Sequence, residues 1–390
     1  MMLFSMFNSK YKIFSPVLIF NCIYLMQIFV QITYLDAINI FSEQMWIILL
    51  LAGLAFNVGY LLVPCNSIAK YFTNLSKQNI HKFNFYLLWL FFSLFVYAIY
   101  TFYNYLGFNG LVVLNLTQLR ELIIFDFMGE RELTVVTKIL TFGVAISLII
   151  LSESKKLSYN YLVGTIIFGI LTAILTTGRL NLLLFFSGAA TLLYRNGLIR
   201  KIHLMYGVVV FISLFFFMAL ILDKGGNDLS FLDAIIWNSK VYFTSSLSCL
   251  NDYTLNSQIN EDGLFLPNVI RNFLNLFDLN IALKLNLNEF RYIPEPCNTY
   301  TLMYPIYNDF GYIGVSILFL LIGGLHKKLY LNFLYCESSH FWYLFAISLY
   351  PLTMIFFEDA YISSLGFWSI LLVPLLLKKA YFRAVKVKHF

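Results

Sequence analysis

Residues 44–63 read QMWIILLLAGLAFNVGYLLV, twenty positions (63 − 44 + 1) without a charged side chain. A lipid core about 30 Å thick takes roughly twenty helical residues to cross, because backbone N–H and C=O groups meet no water there and must pair within the helix. Working outward, nine more runs of this kind recur, at about 13–34, 83–106, 134–152, 160–177, 180–195, 203–222, 306–325, 341–357 and 361–377. The pattern predicts an all-α integral membrane protein with about ten transmembrane helices. Composition agrees: 60% of residues are hydrophobic, 12% are charged and the mean hydropathy is +0.77, against about 25% charged in soluble domains.

Lys and Arg orient the spans, since they resist transfer across the membrane. With the N-terminus inside, the inner segments hold 17 of the 26 basic residues and only two of the 20 acidic ones, Glu153 and Glu337. Ten spans then leave both termini cytoplasmic. The net charge of +6 is a cytoplasmic fringe whose partner is anionic membrane lipid, and it gives no ground for a nucleic-acid partner. Met1 to Lys12 offers no small-residue cleavage site, so the first run reads as a retained span.

One polar stretch of 83 positions, residues 223–305, interrupts the regular runs and is expected as a large extracytoplasmic loop. No repeat divides the chain, so residues 1–390 read as a single polytopic domain. Within the loop, Ser230 three positions before Asp233 starts a capping-box-like helix with Phe231, Ile235 and Tyr242 near helical spacing, expected to lie along the membrane surface. Ile281, Leu283, Leu285 and Leu287 alternate with smaller or polar residues, as in an extended piece. The loop is too apolar for a tether and is expected to cover the outer mouth of the bundle. Cys249 and Cys297 share it, on the side where an oxidising compartment permits a disulfide without requiring one.

Three places can carry chemistry. In Thr176-Thr177-Gly178-Arg179, at the outer edge of the fifth span, Gly178 is expected to make the turn. Arg179 there can either grip a phosphate with its planar fork or snorkel to headgroups. The 107–133 loop carries Arg120, read either as inward-pointing or as a surface ion pair with Glu121 or Asp126. The loop's end offers Arg291, Glu295 between Pro294 and Pro296, Asn298, Tyr300 and Tyr304, and then Asp309 before Phe310-Gly311. Prolines fix the backbone around a carboxylate, and rings with amides suit a sugar surface; stiff loops and lipid-boundary tyrosines have the same composition.

What is missing narrows the chemistry. The chain has no Walker A loop and no aspartate pair two apart for a metal-bound nucleotide. All five histidines fall on the inner side, and the cysteines fit no metal spacing. Neither a metal nor a cofactor is expected. Proton transfer at the outer face would fall to a carboxylate such as Glu295 or Asp309, with arginines stabilising a leaving phosphate.

At Leu175-Thr176-Thr177-Gly178-Arg179, and from Asn298-Thr299-Tyr300-Thr301 through Tyr304, Tyr307, Asn308, Asp309, Phe310, Gly311, Tyr312, Ile313 and Gly314, the chain resembles the Wzy-type polymerases of bacterial O-antigen and capsular polysaccharide. The layout of ten or more spans with a large outer loop in the second half is also similar. The resemblance implies a glycosyltransferase of the bacterial inner membrane. Such enzymes act on undecaprenyl-pyrophosphate-linked oligosaccharide, passing the growing chain onto the incoming unit without a metal, in some cases beside a chain-length regulator. It implies that Arg179 binds the pyrophosphate, that Arg120 or Arg291 adds to the anion site or orients the acceptor, and that Glu295 or Asp309 activates the acceptor hydroxyl.

Two rivals stand beside it. The related O-antigen ligases usually offer an outer-loop histidine, which this chain lacks. A lipid-linked oligosaccharide flippase or transporter also suits ten spans, but transporters place binding groups near the midplane on broken helices. Here Lys138 is the one basic residue well inside a predicted span, and the charges collect at the outer boundary.

Overall fold

The computed structural model describes residues 12–33, 41–64, 77–113, 132–221, 231–256, 265–277, 291–292, 296–297, 300–362 and 364–387. In chain order the helices are α1 (Pro16–Thr33), α2 (Glu43–Leu62), α3 (Lys77–Val113), α4 (Glu132–Leu151), α5 (Tyr159–Leu175), α6 (Arg179–Arg195) and α7 (Lys201–Ile221). They continue as α8 (Phe231–Asn256), α9 (Asn268–Asn275), α10 (Met303–Tyr335), α11 (Ser339–Met354) and α12 (Leu365–Val387). Between α9 and α10 a two-residue antiparallel ladder pairs β1 (Arg291–Tyr292) with β2 (Pro296–Cys297).

The chain is a helical membrane protein. Among the described residues, four helices are long and apolar enough to cross a bilayer: Glu43–Leu62, Ile80–Tyr105, Met303–Tyr335 and Leu365–Ala384. Shorter apolar helices stand at Pro16–Ile32, Val135–Leu151, Tyr159–Leu175, Leu180–Arg195 and Lys201–Leu214. Contacts divide the chain into two compact units. The first comprises Met1–Lys70, Ser230–Cys336 and Ser348–Leu365; the second comprises Tyr71–Leu229, Glu337–Ile347 and Gly366–Phe390.

In the first unit, α2 begins where Ser42 Oγ accepts the Met45 N–H at 3.1 Å, the ordinary Ser cap of an otherwise orphaned donor. It packs along α10 with almost no side chain between them. A Cβ on Gly59 would sit 1.9 Å from the Leu320 carbonyl oxygen, and one on Gly323 would sit 2.1 Å from that of Phe56. Glycine lets the backbones touch where lipid gives no hydrophobic drive for association. Beside this crossing, α1 stacks Phe20 on Phe56 at 3.8 Å and pairs Asn21 with Asn57 through both amides, at 3.0 and 3.1 Å.

α10 is broken at Gly311, whose φ of +59° and ψ of −151° belong to a region open only to glycine. The break is sharp. A Cβ on Gly314 would lie 3.1 Å from the Ile306 carbonyl oxygen, eight residues earlier and about 12 Å away along a straight helix. Gly311 and Gly314 therefore serve a fold-back within one helix.

The helix predicted from Ser230 is present as α8, and it continues past Tyr242 into a buried second half. Every residue from Thr244 to Asn251 is buried. Small hydroxyl side chains spaced by Leu247 and Leu250 let it insert beside α1 and α2. Residues 281–287, read as extended, lie outside the described residues.

In the second unit α4 is apolar all round, and from Ile139 to Leu151 every residue is buried, with α3, α5 and α6 packed against it. Gly169 on α5 admits the Phe185 ring of α6, whose Cε2 would be 2.1 Å from an added Cβ. Phe91 and Phe168 meet edge to face at 4.8 Å.

Candidate functional site

The first unit gathers polar and aromatic groups where α8 meets the broken start of α10. Tyr300 and Tyr304 stack at 4.2 Å, and Tyr253 of α8 meets Tyr304 edge-on at 4.7 Å. Cys249, one turn before Tyr253, packs with Tyr300. The Tyr253 hydroxyl donates to Asn308 Oδ1. Asn308 Nδ2 then donates to Asp309 Oδ1 at 2.8 Å, while the Phe265 N–H donates to Asp309 Oδ2 at 2.7 Å. Both oxygens of one carboxylate are thus held, next to the Gly311 break, by an amide and by loop backbone. Hydrogen bonds to both oxygens fix the orientation of the carboxylate.

Three of the sequence candidates come together here: Tyr300, Tyr304 and Asp309. Their states differ. Tyr300 is buried under Tyr304, so of the two rings only Tyr304 keeps open surface; Asp309 is half-buried. The Asp309 bond to the Phe265 N–H spans 44 residues of sequence.

Other candidates stand apart or beyond description. Arg291 has its backbone in β1, opposite Cys297 of β2, and β2 runs beside α8. Arg120, Glu295 and Asn298 lie outside the described residues. Arg179 is the first residue of α6, in the second unit. Its turn departs from expectation: Gly178 is extended (φ −96°, ψ 119°), and the left-handed residue is Thr177, with φ +52°. Thr176 Oγ1 satisfies the Ala173 carbonyl at 2.7 Å, and the Thr177 N–H reaches Ile174 O at 2.9 Å, which closes α5. A β-branched residue held left-handed is strained by about 1–3 kcal/mol, a cost that clusters at functional turns.

Comparison with protein families, with curated proteins and with solved structures finds no match to this chain.

Several residues outside the sequence candidates share the first unit. Arg271 of α9 is buried, with Nε donating to Leu266 O at 2.8 Å. The connection between α11 and α12 carries Glu358, whose Oε1 accepts from the Tyr350 hydroxyl at 3.0 Å, and Asp359, whose Oδ1 accepts the N–H groups of Tyr361 and Ile362 at 3.1 and 2.9 Å. Burial pushes the Glu358 carboxyl up to about 7; Tyr350's bond opposes the shift and the Asp359 charge adds to it. The Tyr361 hydroxyl lies 2.7 Å from Nε2 of the fully buried His326. Adjacent acids after an apolar run were visible in the sequence, but nothing local tied them to a histidine 32 positions before Glu358. Among the described residues no three His, Cys, Asp or Glu side chains gather as metal ligands.

Proposed function

We propose that this protein polymerises polyprenyl-pyrophosphate-linked oligosaccharide units at the outer face of a bacterial cytoplasmic membrane, as the resemblance to Wzy-type polymerases implies. About ten spans, cytoplasmic termini and an extracytoplasmic 223–305 loop belong to this reading. One observation carries it: Asp309, Asn308 and Tyr304 of the motif stretch converge with Tyr253 of the loop helix α8. In this reading Asp309 takes the proton of the acceptor hydroxyl, because a carboxylate held by two donors is aimed before substrate arrives. Arg179 and its strained turn serve the pyrophosphate; Arg120 or Arg291 supports them, and Glu295 remains the alternative base.

A second reading, transport of the lipid-linked unit, draws on Glu358, Asp359, Tyr361 and His326, since buried ionisable groups at a break between helices are a transporter's habit. Glycan ladders separate the two. Cells lacking a polymerase keep singly capped surface units and lose long chains, and Asp309→Asn reproduces that pattern at unchanged protein level. Cells lacking a flippase lose the singly capped units as well. Long chains surviving in the deletion strain would end the polymerase reading.

A further inference from the structure

α1 and α8 of the first unit meet along a seam of uncharged polar side chains. Gln31 Nε2 donates to Ser248 Oγ at 3.2 Å. One turn earlier on each helix stand Gln27 and Thr244, so the register that pairs Gln31 with Ser248 carries these two to one level. Gln27, Gln31, Thr244, Ser248 and Asn251 are all buried. Toward one end, Asn251 Oδ1 accepts the Ser42 N–H at 2.8 Å and Ser42 Oγ pairs with Thr254 Oγ1 at 3.2 Å. Toward the other, the stacked rings of Phe20 and Phe56 are fully buried.

The seam is not satisfied within itself. Oε1 of Gln27 and Oε1 of Gln31 are sealed from the surface, and among the described residues neither receives a hydrogen bond. A buried acceptor left so costs about 1–3 kcal/mol. Turning the Gln31 amide over would only exchange the orphan oxygen for orphan N–H groups. Gln31 gives its amide N–H to the inter-helix pair with Ser248, and what remains unpaired is the two carbonyl oxygens, four residues apart on one face of α1.

We infer that this seam binds a neutral, hydroxyl-rich ligand whose O–H groups donate to the side-chain carbonyls of Gln27 and Gln31. None of the seam residues carries a charge, so a phosphate or ammonium group finds no counter-ion there. A hydroxyl both gives and accepts, which matches carbonyl oxygens set beside the hydroxyls of Thr244 and Ser248. The inference rests on the polymerase reading for the identity of that ligand as a sugar of the acceptor unit.

The test uses the full chain in lipid nanodiscs, its unfolding midpoint being measured with glucose, galactose or N-acetylglucosamine. Trimethylamine N-oxide, which has no hydroxyl, serves as the control for general solute exclusion. At least one sugar should raise the midpoint beyond the control, and Gln27→Leu or Gln31→Leu should weaken that sugar's apparent binding about tenfold or more, equivalent to about 1.4 kcal/mol. Gln27→Leu removes an orphan acceptor, so its sugar-free midpoint should hold or rise; Gln31→Leu also gives up the bond to Ser248 and should lower it, and Ser248→Ala, which breaks that bond but keeps both carbonyl oxygens, should lower the midpoint and leave the sugar effect in place. No sugar exceeding the control, or an equal effect in the leucine variants, overturns the proposal. A sugar effect together with surviving long chains in the deletion strain would sink the polymerase reading and leave the seam standing; the opposite pair of results would do the reverse.

Discussion

Lys378 Nζ lies 2.8 Å from Glu153 Oε1 in the second unit, and both side chains are buried. Ser339 Oγ donates to the same oxygen and accepts from Lys378 at 3.0 Å, and Lys156 reaches Oε2 at 3.3 Å. Removing one member of such a pair strands the other, at about 3–5 kcal/mol, whereas replacing both by apolar residues is often neutral. Lys378→Ala should therefore lower the unfolding free energy by about that amount, and Glu153→Leu with Lys378→Met should recover most of it. Denaturant unfolding of the solubilised protein, with Glu153→Leu alone as the third variant, gives these numbers, and a double-variant loss equal to the sum of the two single losses would mean the pair is not coupled.

Two glutamates give pH dependences of opposite sign. Burial alone would push the Glu153 carboxyl up, but the charge and bond of Lys378, the Ser339 bond and the Lys156 charge bring it down to about 2, from an ordinary 4.5. Its contribution is complete above 4.5 and is lost as pH falls through 2. Glu358 is raised to about 7, so its contribution is complete below 4.5 and is lost as pH rises through 7. Glu153→Gln should flatten only the acid limb of a midpoint-against-pH curve, and Glu358→Gln only the limb near neutrality. A Glu358→Gln protein that follows the wild-type limb would show that the group does not titrate there.

The Thr177 turn offers a test of stored strain. Asn tolerates the left-handed region that Thr resists, so Thr177→Asn should stabilise the protein by about 1 kcal/mol, part of the 1–3 kcal/mol held there. Gly178→Ala should be nearly silent, because its φ is negative and an added Cβ meets only Thr176, at 3.7 Å. If the strain serves the site, Thr177→Asn gains stability while long-chain glycan falls. A destabilised Thr177→Asn would place the left-handed residue elsewhere.

The contrast between Gly178 and Thr177 shows what sequence could and could not carry. Helical spacing and the lengths of apolar runs located most helices, because burial in lipid is a local, additive property of the chain. The start of α8 was legible from Ser230 and Asp233 for the same reason. Its insertion was not, since hydroxyl-rich Thr244–Asn251 reads as a surface face until Gln31 and Ser42 are known to meet it. Glu153 looked like one stray acid in a basic fringe; only the fold brings Lys378, 225 positions later, to its oxygen. At the candidate site the motif stretch named Tyr300, Tyr304 and Asp309, but Tyr253 and Phe265 are joined to it by tertiary contact alone.

The α2 and α10 crossing should be intolerant of a single methyl group. Gly59→Ala and Gly323→Ala each drive a Cβ into a backbone oxygen, which cannot rotate away as a flexible side chain would. Overpacking of this kind costs about 1–3 kcal/mol or more, and the helices must part to relieve it. Both variants should show reduced folded yield and a lowered midpoint. Gly164→Ala, which meets nothing within 4 Å, is the matched control.

Cys249 is disulfide-bonded, whereas Cys22 and Cys336 are free. The Cys297 side chain lies outside the described residues, but its backbone forms β2, which runs beside α8. Peptide mapping of alkylated, unreduced protein should therefore recover Cys249 linked to Cys297, and Cys249→Ser should lower stability by about 2–4 kcal/mol. The location of this bond bears on orientation, because disulfides persist in oxidising compartments and are rare where glutathione keeps thiols reduced. A linked peptide from native membranes supports the extracytoplasmic placement of the 223–305 segment and with it the outer-face chemistry. Free Cys249 in membranes trapped with alkylating reagent would argue that α8 faces the reducing side, and the polymerase reading would lose its geometry.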